Sequence, residues 1–195
     1  MFTRTPRSSS PEPAPAGPGW PRPARPRLPG WLAYRLQRAL APNAAYRGLA
    51  GVLARSPAAT RAFTAAERVT KSAAFGCRMC GQCTLPVTGY ACPVSCPKQL
   101  RNGPCGGVGA DGSCEVFPDT RCVWVVAYER AQREGRVPDL LLLQRPVDHR
   151  RSGQSAWISY WRGGDENLWA ALDTQAPGTP ASGTPALGAT AGGCQ

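Results

Sequence analysis

Between Trp31 and Lys71 apolar residues recur at helical spacing. Leu32, Leu36 and Leu40 fall four apart and stop before Pro42, and Tyr46, Leu49 and Leu53 follow at intervals of three and four. Ser56 followed by Pro57 has the form of an N-cap and a first helical residue, which opens a third helix through Phe63 toward Val69. Each helix has one apolar stripe and no catalytic constellation, so each is expected to pack on something, either the segment that follows or another chain. From Gly76 to Pro118 the periodicity gives way to turns dense in Gly, Pro and Cys, which hydrophobic packing alone cannot hold together. An apolar run returns in "CVWVVAYERAQREG", Cys122 to Gly135, and leads into a charged helical segment that Gly135 stops. Further on, "SAWISYWRGGDENLW" sets Trp157, Tyr160, Trp161 and Trp169 close together, a density that suits capping a core or an interface.

Composition narrows the part that folds. Residues 1–30 hold nine prolines and five arginines with the single acid Glu12, too little apolar surface to offset the entropy of ordering. The tail from Asp173 is built of Ala, Gly, Thr and Pro and is equally poor in core material. The chain therefore divides into a disordered Pro/Arg-rich leader (1–30), short helices (31–72), a cysteine-rich domain (73–172) and a disordered tail (173–195). A folded part this small leans on cross-links, metals or a partner subunit.

Nine cysteines supply the means. The N-terminal stretch has no apolar run of signal-peptide length, and "LLLL" at Leu140 to Leu143 is too short to span a bilayer. A cytoplasmic, reducing compartment is expected, without membrane association, where clustered cysteines serve as metal ligands or redox groups rather than disulfides. The net charge of +11 raises nucleic acid as a partner. The arginines lie in the leader or singly along the chain rather than on one periodic face, so a basic, solvated surface accounts for them and nucleic acid is not expected.

Cys77, Cys80 and Cys83 form a C-x2-C-x2-C run, whose spacing lets successive thiolates converge on one centre. Three in series match the bacterial ferredoxin pattern, in which a remote cysteine followed by proline completes a cluster. Two such cysteines occur, Cys92 before Pro93 and Cys96 before Pro97, and Cys105, Cys114 and Cys122 follow. Together these eight are the metal-ligand candidates, the number that two four-cysteine sites require. The expected cofactor is one or two iron–sulfur clusters of the four-iron type; zinc, which takes four cysteines at similar spacings, is the alternative. Gly103, Gly106 and Gly107 around Cys105 are expected to allow left-handed backbone and close approach of amides to a cluster or thiolate. His149, the sole histidine, is read as solvated or packed, and Cys194 as an unpaired bystander. No catalytic residue is assigned: no cysteine has a histidine near it in sequence, and "GPCGGVGADG" neither follows a strand nor opens a helix as a nucleotide fingerprint does.

The motifs "CxxCGxC" at Cys77 to Cys83, "CPxxCPKxLxNGPCGG" from Cys92 to Gly107, "GxCEV" around Cys114 and "CVWxxAYxR" from Cys122 to Arg130 resemble the methylenetetrahydrofolate reductase C-terminal domain family. The likeness covers roughly residues 70 to 165, with "SAWISYWRGGD" resembling the segment that closes the family domain. The resemblance implies an accessory protein bound to a flavin-containing, barrel-shaped methylenetetrahydrofolate reductase-like subunit or another redox protein. That barrel takes about 250 residues and has no counterpart in this chain. The fold expected is a small α+β or irregular cysteine-rich metal-binding domain with short N-terminal helices and disordered termini. The function expected is electron relay in one-carbon metabolism, as a non-catalytic or electron-transfer subunit of an oxidoreductase complex. A zinc-stapled scaffolding subunit is the first alternative, and a zinc-dependent nucleic-acid binder the second.

Overall fold

The computed structural model describes residues 22, 23 and 25–170. Most of the leader and all of the C-terminal tail, Cys194 included, lie outside the described residues. Five α-helices appear in order: α1 Gly30–Ala39, α2 Ala44–Arg55, α3 Pro57–Phe75, α4 Val123–Arg133 and α5 Ala156–Trp161. Short 3-10 turns stand at Pro93–Ser95, Val137–Leu141 and His149–Arg151.

Local chemistry accounts for the helix limits. Asn43 caps α2 by accepting from Tyr46 N at 2.9 Å, and Ser56 Oγ accepts from Ala59 N at 3.3 Å at the start of α3, with Pro57 in the first turn. At the other end of α3, Gly76 takes the left-handed conformation, Gly76 N donates to Ser72 O and Cys77 N donates to Lys71 O. That double closure ends the helix and delivers the chain directly into Cys77. The helix thus runs six residues past Val69. For α1, the buried residue is Ala33, 2% exposed, while Leu36 is 47% exposed. Ala33 makes the closest packing, because a small residue lets the helix approach the Tyr90 loop, while Leu36 and Leu40 of the predicted stripe line an open cavity on the same side.

The β part of the expected fold is not borne out. Among the described residues pairing is limited to two isolated bridges, Ser113 with Arg121 and Gln144 with Trp169. Side-chain amides take over the work of strands: Asn102 both donates to Gln144 O (3.0 Å) and accepts from Gln144 N (2.8 Å), and Gln82 Nε2 donates to Asp148 O (3.0 Å). The cysteine-rich loops are in this way tied to the C-terminal segment without a sheet.

The core is three small clusters, two of which are built partly from cysteine. Cys96 and Cys122 pack with Val123, Trp124 and Ala127 of α4, and Cys92 packs with Ala33, Leu85 and Tyr90. The third joins α2, α3 and α5 through Ala50, Phe63, Ile158 and Trp161. There Tyr46 stacks on Trp161 at 5.0 Å between ring centres, and Trp161 Nε1 donates to Leu40 O at 3.1 Å, so the aromatic segment caps a core as its composition implied. Among the described residues no helix is long and apolar enough to cross a membrane.

Candidate metal centres

The eight cysteines from Cys77 to Cys122 are free thiols, and they fall into two sets of four. Cys77, Cys80, Cys83 and Cys92 line one crevice; Cys96, Cys105, Cys114 and Cys122 line another. The break between the sets falls inside "CPVSC". Cys92 and Cys96 flank the single 3-10 turn Pro93–Ser95, so their Cα atoms stand no more than about 14 Å apart.

The chain's last turn of α3 and the loop after it shape the first crevice. Met79 adopts a left-handed conformation, φ 51°, and its N–H donates to Cys77 Sγ at 3.3 Å. Backbone amides also favour the charged form of other sulfurs: that of Leu85 at Cys83, that of Val94 at Cys92 and, in the second set, those of Leu100 and Lys98 at Cys96. Amide donors aimed at sulfur favour the thiolate, the form that ligates a metal. Gly81, at φ +74°, lies so close to the Arg151 carbonyl that a Cβ would collide with it, which fixes the C-x2-C-x2-C loop against the C-terminal segment. The expectation for the second set's glycines holds only in part. Gly103 has positive φ, Gly106 faces open space, and what a side chain at Gly107 would meet is the Glu115 carboxylate rather than an amide.

Burial opposes charge on these sulfurs. It pushes the Cys83 thiol up to about 11 and the Cys92 thiol up to about 12, and raises Cys77 and Cys96 as well. A cation held among them would offset that penalty and displace the protons. Four thiols line each crevice, and thiolates are the donor type that a four-cysteine zinc or iron–sulfur site would use. Among the described residues no three or more of the histidine, cysteine and acidic side chains are gathered closely enough to hold a metal ion. His149 is exposed and stands in neither crevice.

A charged network absent from the sequence reading backs the first set. Glu67 and Lys71 of α3, 4% and 7% exposed, form an ion pair at 2.6 Å. Lys71 Nζ also lies 4.0 Å from Cys83 Sγ and 4.8 Å from the centre of the Trp157 ring. Glu67 accepts from Ser155 Oγ and from Trp157 N, which anchors the start of α5. Burial works against the Lys71 charge, but Cys83 and Glu67 outweigh it and leave the pKa of Lys71 raised. In sequence this pair looks like any solvated Glu–Lys at i,i+4, so only packing could have exposed it. The second set meets a different pair, Lys98 with Glu115, at the surface beside Cys105.

The arginines also gather in space. Arg61, Arg68, Arg151 and Arg162 line one open groove between α3 and α5, although more than ninety positions of sequence separate the outermost two.

No curated protein and no solved structure gives a significant match to the chain. Residues 56–150, about half the chain, match the family described as Methylene-tetrahydrofolate reductase C terminal. The matched segment begins at the cap of α3, contains all eight cysteines of the two crevices and ends before α5, so "SAWISYWRGGD" lies outside it. The segment that builds both cysteine crevices, residues 56–150, is a methylene-tetrahydrofolate reductase C-terminal family domain.

Proposed function

We propose that the chain holds two iron–sulfur clusters, one in each cysteine crevice, and relays electrons to or from a flavin-bearing methylenetetrahydrofolate reductase-type partner. The observation that carries this reading is the separation of eight cysteines into two sets of four on either side of one short turn. The triple C-x2-C-x2-C run completed by a Cys-Pro supports iron–sulfur over zinc, which more often uses two separated C-x2-C pairs. A bound cluster would supply one-electron transfer. The chain's own contribution is to hold the thiolates, direct amides at their sulfurs and keep water from the buried Cys92. The missing flavin and folate chemistry belongs on this reading to the partner, since the family segment here is only 56–150.

Purification without oxygen, followed by iron, acid-labile sulfide and zinc analysis, tests it. The expected result is a brown protein with about eight irons and matching sulfide per chain, bleached by dithionite. A colourless protein with two zincs would remove the electron-relay role and leave a structural subunit.

A further inference from the structure

A cavity of about 260 Å³ opens among α1, α3, the Tyr90 loop and α5, against about 20 and 10 Å³ for the two cysteine crevices. Only this one of the three has room for an organic molecule. An apolar cavity of about 150 Å³ already admits benzene, so this one takes one or two fused rings. Its walls are Phe75, Leu85, Tyr90, Trp157 and Tyr160, and Cys83 of the first set lies in its lining.

Part of the polar lining is already committed. Tyr90 Oη donates to Gln37, Thr70 Oγ1 donates to Ala66 O at 2.9 Å, and Lys71 is paired with Glu67. Among the described residues the Asp165 carboxylate has neither a hydrogen bond nor an ion pair, and Tyr160 Oη and Trp157 Nε1 in the same lining have no hydrogen bond either. Burial raises its pKa to about 6, and the nearby charges of Arg151 and Lys71 offset only part of that cost. Arg151 and Lys71 already act on this half-buried carboxylate, so what it has left to offer a ligand is an acceptor for a hydrogen bond rather than a site for a further cation. We infer that the cavity binds a neutral aromatic molecule of one or two rings that gives an N–H to Asp165 and lies beside Cys83. Aromatic walls with a few convergent polar groups are the usual make-up of a small-molecule site.

The inference stands apart from what the cysteines hold, and it is tested on the full chain as purified, with metal content measured for every variant. Indole supplies two rings and a neutral N–H; benzofuran has the same shape without the donor. Calorimetry is expected to show indole binding one to one, about tenfold more tightly than benzofuran, the value of a hydrogen bond to a charged acceptor. Asp165→Leu should bring the two within about threefold of each other, and Ala74→Trp, which fills the cavity from the partly exposed side of α3, should abolish both. Absence of saturable binding, equal affinity for the two probes, or undiminished binding to Ala74→Trp would each overturn the proposal.

Discussion

The two cysteine sets have the same number of sulfurs and differ in the ion pair that stands beside each. The first is backed by α3, with the Glu67–Lys71 pair buried behind it and burial pushing Cys83 and Cys92 up to about 11 and 12. In the second, Cys96, Cys114 and Cys122 are buried, and only the half-buried Cys105 reaches the surface, where Lys98 and Glu115 meet beside it. An ion pair counts for far more when buried, as Glu67 with Lys71 is, than at the surface, as Lys98 with Glu115 is. Identical donors can therefore present different affinities and potentials, and the difference comes from what stands behind the sulfurs.

Removing a sulfur gives the largest effect. Cys80→Ser should halve the metal content and lower stability by several kcal/mol, about what a structural metal supplies, and Cys114→Ser should halve it independently. Loss of all metal in either variant would merge the two sets into one site; unchanged metal would take the cysteine out of its set. Next comes Lys71→Met, which strands Glu67 in the interior and should cost about 3–5 kcal/mol by urea denaturation. Adding Glu67→Gln should recover most of the loss; a cost no larger than for a surface pair would dissolve the contrast between the two crevices.

Asp165 gives a smaller effect of opposite sign. Its folded pKa of about 6 lies above the ordinary carboxyl value, so the native state binds the proton more tightly than the unfolded chain does. The stabilisation is complete below about pH 4 and is lost as pH rises through 6. Asp165→Leu should then raise stability at pH 7.5 by about 1–2 kcal/mol and flatten the decline between pH 4 and 6.5, measured by urea titration at several pH values. The smallest effect belongs to the second set. Lys98→Met breaks only a solvated pair, and its denaturation midpoint should coincide with that of the parent chain.

Features with local causes were legible in the sequence. Ser56–Pro57 marked the start of α3 because capping depends on a few adjacent atoms, and the C-x2-C-x2-C run pointed to the first crevice because its reach is two residues. Features that need distant partners were not legible. Nothing in "CPVSC" says that the chain changes crevice between its two cysteines, since both precede proline. The anticipated strands failed because Asn102 and Gln82 satisfy backbone groups across separations of 42 and 66 residues, a pairing with no periodic signature. Glu67, Lys71 and Asp165 escaped notice for a related reason: a charged side chain reads as solvated until the fold covers it.

The turn Pro93–Ser95 acts as a ruler between the two crevices. A 3-10 turn advances about 2 Å per residue and swings its side chains through a third of a circle at each step. Adding or deleting one residue there would both stretch the gap and rotate one set of sulfurs relative to the other, without touching a ligand. The spacing between the centres is thus held by an element that cannot lengthen gradually, and surface change elsewhere in the chain leaves it untouched.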